Sequence, residues 1–196
     1  YWLELAATGT GSSLPSLLGE GWFFAESTAS ISSDGEVISS DGTHYFFNNW
    51  SSIPSGASFD DASSSSTDLT IDQHYTAIAN FVRGVRLLVK KSPIHSRGWL
   101  YSDGSAYSDV DSIAVWRMSG DTVEIAASSI DTLSSDSAYL FDGWNFAEDE
   151  TTSIVLNGDF DAVANYFLAY RTVITKLPAE TLGTMAVDGT TYTGES

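Results

Sequence analysis

Apolar and polar residues alternate over much of the chain in short runs separated by Gly, Asp and Ser, the pattern of half-buried strands and tight turns. Two longer stretches, "YTAIANFVRGVRLLVKK" (75–91) and "FDAVANYFLAYRTVITK" (160–176), carry apolar residues at three- and four-residue steps. In the first these are Tyr75, Ile78, Val82, Val85 and Val89, and in the second Phe160, Val163, Phe167, Tyr170 and Ile174. That spacing predicts one amphipathic helix in each. Asp72 and either Asn157 or Asp159 are suitable N-caps, and Pro93 and Pro178 stop the elements. A competing reading ends the first helix near Gly84 and starts a strand, because "VRLLV" and "RTVIT" are β-branched or alternating.

The two stretches are one sequence used twice. Adding 85 to the first number pairs Ala77 with Ala162, Ala79 with Ala164, Asn80 with Asn165, Arg86 with Arg171, Lys91 with Lys176 and Pro93 with Pro178. The same offset then pairs Gly98 with Gly183, Asp103-Gly104 with Asp188-Gly189 and Tyr107 with Tyr192. "YFFNNW" (45–50) matches "YLFDGW" (139–144) at an offset of 94, and the Ser-rich "SGASFDDASSSSTD" (55–68) absorbs the difference as a longer loop. A partial third echo sets "PSLLGEGWFF" (15–24) beside "PIHSRGWLY" (93–101).

The expected fold is mainly β with two helices, an α+β pseudo-symmetric tandem duplication of a β-rich module. Residues 1–44 complete the fold, 45–110 form the first module, 111–138 a connecting β-hairpin turning at Ser119-Gly120-Asp121, and 139–196 the second module.

Composition narrows the functions. The 196 residues are 42% hydrophobic and 13% aromatic, enough for a proper core, and there is no cysteine for disulfides or thiolate metal sites. No apolar run is long enough for a membrane-spanning helix. The chain starts at Tyr1 without the basic and apolar pattern of a signal peptide, which fits removal of a leader or trimming. A formal net charge of −18 argues against nucleic acid as a partner.

Five of the eight basic residues, Arg83, Arg86, Lys90, Lys91 and Arg97, fall in one short stretch. A basic strip on an acidic molecule suits contact between subunits, and a solvated face with local ion pairs is the plain alternative.

Chemistry is sparse. His44, His74 and His95 lack the spacing of a metalloprotease site, and neither a Gly-x-Ser-x-Gly elbow nor a phosphate loop occurs, so no catalytic residue and no enzymatic activity is expected. Glu26, Asp103, Asp142 and Glu148 lie near Trp22, Trp99 or Trp144, as a glycosidase would need, but a turn explains Asp103 and core packing is the better reading of the Trp residues. No cofactor is expected. Calcium is the one metal that the alternating oxygens of Asn157, Asp159 and Asp161, or Asp109 and Asp111, would suit, without an EF-hand's Gly and Glu. Asn49-Trp50-Ser51 fits a glycosylation sequon.

"SDGTHYFF", "SDGSAYSD" and "VDGTTYTG" share an Asp-Gly turn, a Ser or Thr and a Tyr. With the duplication, the acidic Ser/Thr/Gly-rich composition and the basic strip, these turns make the chain similar to virion structural proteins of tailed phages and related viruses, of the capsid-decoration, tail or fibre type. The resemblance implies a non-enzymatic subunit, virion or extracellular, whose partners are itself and other structural subunits. The alternative is a carbohydrate-binding module that stacks glycans on Trp22, Trp50, Trp99 and Trp144.

Overall fold

A computed structural model of the protein describes residues 1–173, 184–187 and 190–193. Every regular element among them is a β-strand, so the expected pair of helices is overturned. The reason lies in which residues face inward. Tyr75, Ala77, Ala79 and Phe81 are buried and alternate with half-exposed neighbours, a period of two that continues after Gly84 through Val85, Leu87, Val89 and Lys91. The apparent helical stripe mixed these with Ile78 and Val82 on the outer face, because alanines at the core positions carry little hydrophobic signal.

Nine strands build the first sandwich: β1 (Trp2–Thr8), β2 (Leu17–Leu18), β3 (Gly21–Trp22), β4 (Ser27–Ser33), β5 (Glu36–Ile38), β6 (His44–Ile53), β7 (Ser58–Phe59), β8 (Ser66–Ile71) and β9 (Tyr75–Arg83). One sheet runs β3-β1-β9-β6-β5 and the other β2-β4-β8-β7. Leu3, Phe47, Trp50 and Phe81 from the first sheet pack with Ala29, Ile31, Leu69 and Ile71 from the second.

The second sandwich follows the same plan with β10 (Val85–Ser92), β11 (Trp99–Ser102), β12 (Ser105–Ser108), β13 (Ser112–Arg117), β14 (Thr122–Ala127), β15 (Ile130–Ser134), β16 (Ser137–Trp144), β17 (Thr151–Val155) and β18 (Phe160–Tyr170). Its sheets run β13-β10-β18-β16-β15 and β12-β11-β14-β17, around a separate core that includes Leu87, Val89, Leu100, Ile125, Trp144 and Leu156.

Register makes the correspondence detailed. In each sandwich the first strand is parallel to the last, β1 to β9 and β10 to β18. The neighbouring strand breaks register at one place: Phe47 faces Phe81 and Asn49 faces Asn80, as Phe141 faces Tyr166 and Gly143 faces Asn165. These positions differ by 94 on β6 and β16 and by 85 on β9 and β18, the two offsets of the sequence repeat. Such a bulge bends its strand the same way in both copies. The extra residues of the Ser-rich loop form β7, which has no counterpart in the second sandwich.

The sequence repeat therefore straddles a junction. β9 closes the first sandwich, β10 opens the second, and only Gly84 separates them. Its N–H donates to His44 O at 2.7 Å, and a Cβ there would lie 2.6 Å from a Phe46 ring carbon, so any larger residue would have to displace that ring. A final hairpin, β19 (Thr184–Val187) with β20 (Thr190–Thr193), repeats β11 with β12 at an offset of 85 in the same register. Ile174, Lys176, Pro178, Gly183 and Asp188-Gly189 lie outside the described residues.

Residues 111–138 are shared out between layers. β13 and β14 flank the Ser119–Asp121 turn but join opposite sheets, and β15 returns to the sheet of β13. The Asp-Gly turns at 41–42 and 103–104 join hairpins, β5 with β6 and β11 with β12. Asp103 and Gly104 both have positive φ, 45° and 90°, the primed-turn geometry whose twist matches that of paired strands.

Candidate functional site

Alternation along β9 and β10 divides the basic strip. Arg83 and Arg86 are exposed and Lys90 half-exposed, Arg97 is exposed on the loop after β10, and Lys91 points inward and is buried. Arg86 and Lys90 already meet Asp161 of the adjacent strand, at 3.7 and 2.9 Å, and the hydrogen bond from Lys90 holds the Asp161 carboxyl below its ordinary pKa. Arg83 and Arg97 have no ion-pair partner among the described residues.

The four tryptophans separate equally clearly. Trp50 and Trp144 are core residues, each with its indole N–H donated to a backbone carbonyl, of Ser64 and Glu150 respectively. Trp22 is 76% exposed and Trp99 39%. The sequence echo that paired these two does not survive: Trp22 sits on β3 across from Trp2, whereas Trp99 begins β11. The positional equivalent of Trp22 is Trp116, across from Arg86 on β10.

An aromatic cluster that sequence reading missed surrounds Trp22. Trp2 lies 5.4 Å and His74 6.3 Å from it between ring centroids, Tyr1 packs edge-on to His74 at 5.4 Å, and His74 Nδ1 accepts the Trp2 N–H at 2.8 Å. Phe24, beside it in sequence, is almost fully exposed. Rings from positions 1, 2, 22 and 74 meet where β1 pairs with both β3 and β9, so no local motif announces them.

The carboxylates considered for glycoside chemistry are dispersed. Glu26 belongs to the first sandwich, while Asp142 and Glu148 are exposed on the second. Asp103 binds Arg117 at 3.1 Å. Asp159 accepts the Arg86 backbone N–H at 2.8 Å, and among the described residues no three acidic or histidine side chains are placed to hold a metal ion.

The densest polar cluster is buried in the second sandwich. Lys91 Nζ lies 2.9 Å from Asp131 Oδ2 and also donates to Arg97 O, and both side chains are wholly excluded from solvent. His95 Nε2 is 2.7 Å from the same Oδ2, and its Nδ1 is 2.7 Å from Pro93 O. Ser128 Oγ donates to Asp131 Oδ1. The Tyr166 ring stands 5.9 Å from Nζ, and its hydroxyl, donated to Ser128 O at 2.8 Å, is pushed up to about pKa 12 chiefly by burial. A sequence signal existed: in the inward series Val85, Leu87, Val89, Lys91, the last residue is out of character.

No protein-family model matches the chain, and no curated protein matches it. Among solved structures it is similar to the C-terminal fragment of the pilus adhesin SpaC from Lactobacillus rhamnosus GG, with a TM-score of 0.30 and 10% identity over 90% of this chain and 99% of the fragment. It is also similar to a longer SpaC structure, with a TM-score of 0.27 and 11% identity over 85% of this chain and 31% of that one. Values this low are too weak to assign a function or a family.

Proposed function

We propose that this chain is a non-enzymatic structural subunit of an extracellular or virion assembly, in which like sandwiches in tandem form a spacer that contacts neighbouring subunits. The observation that carries the reading is the register-matched repetition of a whole sandwich across the single residue Gly84. Direct strand-to-strand joining limits hinge motion, which suits a load-bearing or spacing role better than independent binding domains on a flexible linker.

The contact surface in this reading includes Arg83 and Arg97, exposed cations on a molecule of net charge −18. Substituting Arg86 and Lys90 would disturb their pairing with Asp161, so the cleaner test is Arg83→Glu with Arg97→Glu. Sedimentation velocity of the parent chain should show concentration-dependent association that the double variant weakens. A parent that stays monomeric at high concentration contradicts the proposal.

The exposed Trp22, with Trp2, Tyr1 and His74, favours carbohydrate binding as a second reading. Binding to a glycan panel that Trp22→Ala abolishes would support it. A silent panel, or binding unaffected by that change, would leave the cluster as packing surface.

A further inference from the structure

We infer that Lys91 and Asp131 are the two ends of an intramolecular amide cross-link, formed between their side chains without any outside reagent. Both side chains are fully buried, with Nζ 2.9 Å from Oδ2 and 5.9 Å from the centre of the Tyr166 ring, and with Tyr139 stacked on His95 at 4.3 Å. An ion pair in such a place offsets its desolvation poorly, whereas an amide joining the same two side chains is uncharged and carries no such cost.

The first sandwich shows that the fold does not need these charges. Ala7 occupies the place of Lys91, each across from the equivalent alanines Ala79 and Ala164. Val37 occupies the place of Asp131, across from Tyr45 and Tyr139. Phe81 replaces Tyr166, so one sandwich carries an apolar trio where the other carries the polar cluster.

The surrounding groups are those the reaction requires. Pro93 O can only accept, so His95 Nδ1 carries a hydrogen, and the 2.7 Å contact between Nε2 and Oδ2 holds one proton shared between imidazole and carboxyl. With that proton on Oδ2, given up by the Lys91 ammonium, Asp131 is a neutral acid whose Oδ2 is the leaving oxygen. Lys91, as the free amine, attacks Cγ while Arg97 O orients it. Charge developing on Oδ1 is met by the Ser128 hydroxyl.

The C–N bond then forms, His95 carries a proton from Nζ to Oδ2, and the Cγ–Oδ2 bond breaks to release water. Ammonium and carboxylate give amide plus one water, with no change of oxidation state. Gly98 closes the site: a Cβ there would fall 1.6 Å from Oδ1, so only glycine lets the backbone cover the carboxyl. Fixed contact at this distance replaces a bimolecular encounter, an advantage that reaches roughly 10⁵ M and above in effective concentration.

The test is the intact mass of the denatured full-length chain. The parent should fall short of its sequence mass by one water, and tryptic digestion should yield a branched peptide joining the segments around Lys91 and Asp131, with no cleavage after Lys91. Lys91→Met and Asp131→Ala should each show their full sequence mass, and His95→Ala should form the link more slowly. A parent at full sequence mass after prolonged incubation of the folded protein overturns the inference. Link formation in His95→Ala at the parental rate overturns the assignment of the proton carrier.

Discussion

The imidazole of His44, at the start of β6, lies face to face with the indole of Trp116 on β13, with ring centroids 4.9 Å apart and planes 16° from parallel. It is a contact between sandwiches, made beside Gly84, and His44 is further held by Glu36 at 2.5 Å. Trp116→Ala should loosen the junction while leaving both cores intact, since an aromatic pair contributes about 0.5–1.5 kcal/mol beyond its buried area. Limited proteolysis should become faster around residues 83–85. Unchanged cleavage there would mean that strand continuity alone stiffens the joint.

Trp50 lies across from Ala79 and Trp144 across from Ala164, a small residue making room for an indole in each core. Trp50→Ala should cost the first sandwich about 3–5 kcal/mol, and Ala79→Leu about 1–3 kcal/mol by overpacking. Denaturant unfolding followed by the near-ultraviolet signal of Trp144 should remain close to parental in both variants, because the second core is separate.

Acid should destabilise the protein through exposed carboxylates. Asp41 accepts from the Ser39 hydroxyl and the Thr43 N–H, which lower its pKa from 3.8 to about 2. Ser63 lowers that of Asp61 and Lys90 that of Asp161. A depressed folded-state pKa means that the unfolded chain binds more protons, so the stabilisation is complete above 3.8 and fades as pH falls toward about 2. Melting temperature should therefore drop across that window, less steeply in Asp41→Asn. An identical slope in that variant would remove Asp41 from the explanation.

Alkali acts on Tyr166 in the opposite sense. Its pKa is raised from 10.0 to about 12, so the folded state holds a proton that the unfolded state loses, and stability falls as pH rises through this window. Tyr166→Phe, which copies Phe81 of the first sandwich, should flatten the fall of the melting curve above pH 10. A steep fall retained in that variant would assign the effect to other groups.

Much of the architecture was legible in the residues. The offsets 85 and 94 marked equivalent strands, and Asp41-Gly42 and Asp103-Gly104 marked hairpins. The helices failed because Ala77, Ala79, Ala162 and Ala164 are core residues too small to register as an apolar alternation, which let outward Ile78 and Val82 impose a false period. The true phase of the repeat, beginning at β1 and β10, was hidden because Leu3 and Leu87 sit in otherwise unlike strands. The cluster around Asp131 depends on partners 36 and 40 residues away, and no local pattern reports contacts of that range.

Pulling a single chain by its two ends tests the central idea, two separately cored sandwiches joined as a spacer, most directly. Two discrete unfolding events are expected, with the second sandwich shorter in released length because a Lys91–Asp131 link would lock the 40-residue span between them; at about 3.3–3.6 Å per residue that is roughly 140 Å. One all-or-none event, or extension without a force peak, would contradict the tandem-spacer reading. Two events of full length would preserve the spacer and remove the cross-link.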